Sequence, residues 1–447
     1  MLINDTTKIL EAYSNNLEEI LVLDENNVKK EFEDNLFVIL STKYRKLTNN
    51  NIIKKFKSSN TNSNIIQNDK EYNSILINKS SFKSKKTHEV DNLSEFIIET
   101  LNSQHIKNII ELGCGKCYLN EKILISEDVT YIGIDKQAEL VDKTSHSSKF
   151  LSKNSVILYK NINVHNFDKF YNETLFSYIS GSNSKTTLIG LHACGNLTSD
   201  TIKIFRENKL FTSLTIVGCC ANLLKEFVSD KARNSELFQF YINNIGFDKS
   251  DKFLEETLIY DDIELVGYPL SSFLKENYAE FFMGRVIRNT AMQGLPKKED
   301  KLIKTDNLSY KKMFFRTMLQ AFLERNIPNL KLYYGFGKIK LKNDFYDFCK
   351  QALQHLEKSN ITKYQKYSKF DLDEKSVNGF YDEYKKYEAY LWALYIVRFK
   401  FARIFELIIT VDRAIYICEK NDVSYCEIYE IFDQEISSRN LLINAYK

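Results

Sequence analysis

A chain of 447 residues with 43% hydrophobic side chains is long enough for two or three cored domains, which excludes a disordered polymer. Its 62 basic and 59 acidic residues nearly cancel, at +3, so charge alone neither requires nor excludes a nucleic-acid partner. No charged and apolar leader is visible in Met1–Asp24, and no uninterrupted apolar run approaches the roughly 20 residues a membrane helix needs; the expectation is a soluble, intracellular protein, cytoplasmic or nuclear, with no membrane partner.

In chain order, residues 5–47 carry apolar positions at helical spacing (Ile9, Leu10, Tyr13, Leu17, Ile20), which predicts a helical N-terminal cap over residues 1–53. Residues 54–80, with SSNTNSN inside, read as a low-complexity linker or loop. SKKTHE (residues 84–89) opens a helix with Thr87 as a cap and Leu93, Phe96, Ile97 and Leu101 as its apolar stripe. The apolar run Ile109–Leu112 then feeds the turn Gly113-Cys114-Gly115-Lys116-Cys117, a helical segment follows, and a second run, Tyr131–Ile134, closes on Asp135. Residues 156–161 and 163–167 predict a third strand and its exit, with Asp168 beyond; residues 187–191 and 214–218 predict a fourth and a fifth. A helix is predicted over 198–207 and another from Asn222, and IELVGYPLSSFLKEN reads as a further strand and turn. Residues 281–291, 310–325 and 381–421 read as helices, with 332–339 and 441–445 as strand candidates. Strands alternating with helices of this length specify βαβ units and a parallel sheet, with ligands beyond the carboxyl ends of the strands.

The glycine turn discriminates between nucleotides. A dinucleotide fingerprint needs a third glycine, and Tyr118 holds that place. Glu111, two residues before Gly113, instead suits a ligand with a cationic sulfonium and an amino group, and would repel a pyrophosphate. The other chemistry lies in the turn His192-Ala193-Cys194-Gly195-Asn196. There His192 serves as a base near neutral pH, Cys194 as a nucleophile or ligand and Asn196 as an orienter, or His192 and Cys194 alternate into the core while Asn196 caps the next helix. Eight cysteines, several in pairs, fit reduced thiols or metal ligands better than a disulfide framework. Strand ends one, four and five are neighbours in the usual doubly wound order, so Cys114, Cys117, His192, Cys194, Cys219 and Cys220 offer a converging Zn²⁺ or iron–sulfur donor set. Against a metal, Cys114 sits where any small side chain serves. Lys85, Lys86 and His88 are a solvated helix start or the rim of a site; His105, His146, His165 and His355 read as structural or surface.

Seven segments, KKTHEV, ELGCGKCYL, GLHACGNL, VGCC, GYPLS, FFRTMLQ and SSRNL, appear in an order that resembles the methyltransferase-like 25 family, which includes the ribosomal RNA adenine dimethylase domain-containing proteins. The resemblance runs from about residue 80 to the end. It implies a Rossmann-like class I methyltransferase sheet over residues 81–290, S-adenosylmethionine as cofactor, and a family-specific, mostly helical C-terminal region over 291–447. Carried over, Glu111, Gly113 and Gly115 look like the cofactor turn and Asp135 the ribose acid; the reading of the turns adds Cys114, Lys116 and Asp168 to the cofactor set, His192 and Asn196 as the catalytic pair, and Lys86, His88 and Cys194 as substrate contacts. The implied acceptor is RNA or a translation-related protein; the N-x-P-Y acceptor motif of adenine methyltransferases is absent after the fourth strand. The family turn has serine at the position of Cys114 and glycine at that of Cys117, so Cys117 places a side chain where the helix starts. That departure supports an alternative, a non-catalytic binding or assembly factor holding S-adenosylhomocysteine or a metal through Cys194, Cys219 and Cys220.

Overall fold

The structure is a computed structural model and describes residues 53–55, 84–126, 128–145, 154–179, 181, 184–236, 238–239, 265–293, 308–326, 344–357 and 372–447. The predicted N-terminal cap except Ile53, all of the 54–80 segment except Lys54 and Lys55, and the strand candidate at 332–339 lie outside them.

Residues 24–295 and 401–447 form one compact unit. It is built on an eight-stranded sheet: β1 (Ile53–Lys55), β2 (Asn108–Leu112), β3 (Thr130–Asp135), β4 (Ser155–Tyr159), β5 (Thr186–Cys194), β6 (Phe211–Cys219), β7 (Tyr425–Glu430) and β8 (Leu441–Tyr446). The spatial order is β1-β7-β8-β6-β5-β2-β3-β4, with β8 antiparallel to both its neighbours and every other pairing parallel. The expected adjacency of β2, β5 and β6 is present, in a Rossmann-like α/β sheet. Two of its strands come from far beyond residue 290, because β6 pairs with β8, Ile216 opposite Ile443.

Period-two alternation gives the sheet two apolar faces. Ile109, Tyr131, Ile189, Val217 and Leu442 point to one side, under α1 (Ser84–Gln104), α2 (Tyr118–Ser126) and α3 (Ala138–Ser145). Ile110, Ile132, Leu188, Ile216 and Ile443 point to the other, under α4 (Val164–Glu173), α5 (Asn196–Glu207), α6 (Ser272–Asn277) and the 402–418 stretch of the last long helix. Parallel strands buried on both faces are what near-continuous apolar runs such as Ile109–Ile110 require.

Several local expectations are corrected. Residues 163–167 are not a strand exit: Asn163 accepts from the backbone N–H groups of His165 and Asn166, and Asn166 Oδ1 accepts in return from Asn163 N–H, a capping box that starts α4. Thr87 lies inside α1, four positions into Ser84–Gln104, and so is not its cap. After Cys220 the chain makes only a short 3₁₀ turn, Ala221–Leu223, then runs extended so that Glu226 bridges to Tyr268. β5 runs past the predicted turn to Cys194, with a register irregularity between Leu191 and Ala193. α7 (Gly284–Thr290) is held by the buried pair Arg288–Glu226, 3.2 Å apart, with Glu226 also accepting from Met283 and Gly284 N–H.

The second unit, residues 1–23 and 296–400, is described over α8 (Leu308–Asn326), α9 (Phe345–Glu357), α10 (Glu374–Tyr384) and the first part of α11 (Glu388–Cys418). Its core is aromatic: Phe314, Phe315, Phe322, Phe345, Phe348 and Phe380 are buried together, so FFRTMLQ is a packing segment. Among the described residues no helix is long and apolar enough to cross a membrane.

Candidate functional site

Beyond the carboxyl ends of β2, β3, β4 and β5 lies a cavity of about 730 Å³, within the usual range of small-molecule pockets. Gly113 and Gly115 form its floor with φ of +75° and +58°, a left-handed region that favours glycine. Asp135, ending β3, accepts from Gly115 N–H at 3.0 Å and from Gln137 N–H at 2.9 Å, so the acid and the turn are tied together. Glu111 is buried and accepts from the Tyr131 hydroxyl. Burial pushes its carboxyl up to about 8, with Asp135 adding to the rise and Lys86 opposing it. Lys86 is lowered, chiefly by burial, and its Nζ lies 5.4 Å from the Tyr118 ring centroid.

Cys114 and Cys117 do not share one orientation with the metal candidates. Their sulfurs pack on Gly133 of β3, where an added Cβ would stand 2.9 Å from Cys114 Sγ and 3.0 Å from Cys117 Sγ. Cys117 is fully buried at φ +53°, the backbone state that a glycine would occupy freely, and its side chain goes into the core rather than the cavity wall. Lys116 is exposed on the wall.

On the opposite wall His192, at φ +58°, lies 3.0 Å through Nε2 from Glu89 Oε2. Glu89 is 2% exposed, and its other oxygen accepts from Ser437 Oγ at 2.8 Å. His192 and Ser437 hold its carboxyl down at about 2, against the opposing effect of burial. Glu89 was not singled out from the sequence. The signal was there: it stands four residues before Leu93 on the apolar stripe of α1, a charge where the pattern wants a hydrocarbon.

Asn196 lines the cavity, but its amide is committed: Oδ1 accepts from Lys225 N–H at 2.7 Å and Nδ2 donates to Leu265 O at 2.8 Å. It therefore clamps the 225 and 265–267 segments, and Gly267 is glycine because a Cβ there would meet Asn196 Oδ1 at 2.1 Å. Gly195, not Asn196, is the N-cap of α5. Cys194 is exposed at the wall.

Two predicted residues lie outside the wall. His88 accepts through Nε2 from Asp433 N–H at 2.9 Å and packs edge-on against Phe432, so it fixes the β7–β8 loop. Asp168 is exposed on α4 and accepts from Asn208 Nδ2 at 2.9 Å. In their place the cavity gains Lys160, Asn163, His165, Asp200 and Lys225; His165, read as structural or surface, is a wall residue. Burial raises Asp200 to about 6, offset in part by Lys203, Lys225 and His165. His165 and Asp200 stand on α4 and α5, and Lys160, Asn163 and Lys225 on the connecting segments, with no motif to mark them.

Residues 85–227 match a family described as "Methyltransferase domain". The chain is 26% identical over 261 residues to a human protein named "Probable methyltransferase-like protein 25", covering 58% of this chain and 36% of that protein. A mouse protein of the same name is 26% identical over 266 residues, covering 58% and 37%. The chain thus spans little more than a third of the curated relatives it matches, and it resembles methyltransferase-like protein 25, as the seven segments implied. A solved plantazolicin methyltransferase, in complex with a triazolic desmethyl analog and SAH, aligns at 16% identity over 35% of this chain and 55% of that one, with a TM-score of 0.23, too low to carry an argument.

Proposed function

We propose that this chain is an S-adenosylmethionine-dependent methyltransferase acting on a macromolecular acceptor, RNA ahead of protein. The observation that carries this is one cavity with the Glu111–Gly115 turn and Asp135 on one wall and His192 on the other. Asp135 would accept from the ribose hydroxyls, and Glu111, ionised on meeting a cation, would face the sulfonium and amino group of the cofactor. The sulfonium supplies an activated methyl group; the chain's task is to hold the acceptor in line and take its proton.

His192 would take the proton. Its Nε2 engages Glu89, which leaves Nδ1 as the base, a tautomer inferred from the contact. The acceptor heteroatom forms a bond to the methyl carbon as the carbon–sulfur bond breaks, S-adenosylhomocysteine departs, and the acceptor proton passes to His192. Five lysines, Lys86, Lys116, Lys136, Lys160 and Lys225, against Glu111, Asp135 and Asp200, make the wall net basic and favour a polyanion.

The rival, a non-catalytic binding factor, rested chiefly on Cys117; the packing of that sulfur on Gly133, away from the cavity wall, favours the enzymatic reading. The test is transfer of labelled methyl from S-adenosylmethionine into RNA and protein fractions of an extract from cells lacking this protein. Label entering neither fraction with wild type, while calorimetry shows the cofactor bound, would refute the enzymatic reading.

A further inference from the structure

β5 and β6 end side by side, with Cys194 in register with Cys219. The chain then turns at Cys220 through a left-handed backbone, φ +54°, which brings the next thiol back to the same place. The Cys194 and Cys219 sulfurs stand 3.1 Å apart and those of Cys219 and Cys220 3.5 Å apart, and all three lie within 4.8 Å of one another. Three thiolates on one Zn²⁺ at about 2.3 Å have tetrahedral edges of about 3.8 Å, so these sulfurs need move only by tenths of an ångström. A cubane iron–sulfur cluster puts each cysteine on a different iron and spreads the sulfurs further.

A second observation points the same way. Arg413 of α11 is 5% exposed, and its Nε and Nη2 have no hydrogen-bond partner. Its Nη1 approaches Gly218, the residue before Cys219, so closely that a Cβ there would be 2.7 Å away. Arg413, Arg439 and Cys219 line one small cavity of about 30 Å³. A buried guanidinium is costly without a matching negative charge beside it. Asp412 beside it opposes that cost, but its oxygens already accept from Leu270 N–H and from Ser271 N–H and Oγ, and burial raises its carboxyl; three neutral thiols add no charge. A Zn²⁺ with three thiolates carries a net charge of −1.

We propose that Cys194, Cys219 and Cys220 bind one Zn²⁺ as thiolates, with the fourth position open to the large cavity and Arg413 balancing the charge. On binding, three S–H protons leave to solvent and three Zn–S bonds form. The site joins the ends of β5 and β6 directly behind His192, whose carbonyl now accepts from the Cys194 and Cys219 thiols at 3.2 and 3.3 Å. It stands independently of the cofactor assignment, since occupancy is read without any methyl donor.

The test is metal analysis of the full chain, purified without chelator under reducing conditions, and of Cys194→Ser, Cys220→Ser and, as control, Cys349→Ser, with folding followed by circular dichroism. The expected result is about one zinc per chain in wild type and control, and a loss of tenfold or more in retention in the other two. Adding Co²⁺ alone to metal-free wild type should give intense sulfur-to-cobalt absorption, displaced by Zn²⁺. That measurement decides the matter even where a variant fails to fold. The proposal is overturned by wild type that holds no zinc and gives no cobalt–thiolate band, by zinc retained unchanged in folded Cys194→Ser and Cys220→Ser, by iron with acid-labile sulfide, or by a Cys194–Cys219 disulfide in protein kept anaerobic.

Discussion

His192 Nε2 lies 3.0 Å from Glu89 Oε2, a contact that joins the end of β5 to the second turn of α1 and puts an ionised, buried acid behind an imidazole at the cavity wall. If His192 takes the acceptor proton, His192→Ala should lower the methyl-transfer rate roughly 100-fold or more. Glu89→Gln, which only loses the orienting charge, should lower kcat about tenfold. Affinity for S-adenosylhomocysteine should stay within about twofold in both, because neither residue belongs to the glycine turn proposed to hold the nucleoside. Equal losses in kcat and cofactor affinity would assign the pair to folding instead.

The same acid makes a pH prediction. Its folded value, about 2, lies below the ordinary 4.5, so the stability it confers is fully present above pH 4.5 and is lost as pH falls toward 2. Glu89→Gln should therefore unfold at a lower denaturant midpoint than wild type at pH 7. The gap should narrow below pH 4.5 and close near pH 2, as followed by circular dichroism.

Glu111 behaves in the opposite sense. Its folded value is raised to about 8, so above pH 4.5 the unfolded chain ionises a group that the ligand-free folded chain keeps protonated, at a cost that grows until pH passes about 8. Glu111→Gln should raise the thermal midpoint of the ligand-free protein at pH 8 and leave it nearly unchanged at pH 4.5. Calorimetry of S-adenosylmethionine binding at pH 7 in two buffers of different ionisation enthalpy should find up to about one proton released by wild type and measurably less by the variant.

Gly133 reports on where Cys117 points. Gly133→Ala sets a methyl 2.9 and 3.0 Å from the Cys114 and Cys117 sulfurs, an overpacking that should cost about 1–3 kcal/mol in chemical denaturation. Cys117→Gly removes one of those sulfurs and a left-handed non-glycine residue, so the double variant should recover most of the loss. Additive losses would mean that Cys117 lies elsewhere.

The parallel core of the sheet was legible because most of its strands are apolar runs ending in a glycine, an acid or a histidine, signals that local chemistry writes into adjacent residues. Glu111, Gly113, Gly115, Asp135 and His192 were found on that basis and do line one cavity. Asp200 was not, since a lone acid on a helix carries no mark of burial until packing is known, and Glu89 was missed although its place on the apolar stripe of α1 marked it. His88 and Asp168 failed for the converse reason: their types suited a site, but Asp433 and Asn208, remote in sequence, already occupy them. Asn196 lay at the right place with its amide spent on Lys225 and Leu265. The pairing of β6 with β8 was likewise invisible, as no local pattern names a partner more than two hundred residues away.

That pairing also orders events during synthesis. When the ribosome has made β6, the strand has β5 on one side and a bare edge on the other, and its partner is not translated until residue 441. A nascent chain with such an edge is open to pairing with strangers, and long-range closure is slow. The segment that seals the edge also brings Ser437 to Glu89 and Asp433 to His88. His192 at the cavity wall, through Glu89, therefore gains its full set of contacts only after the sheet has been closed, which delays the assembled cavity wall until that edge is covered.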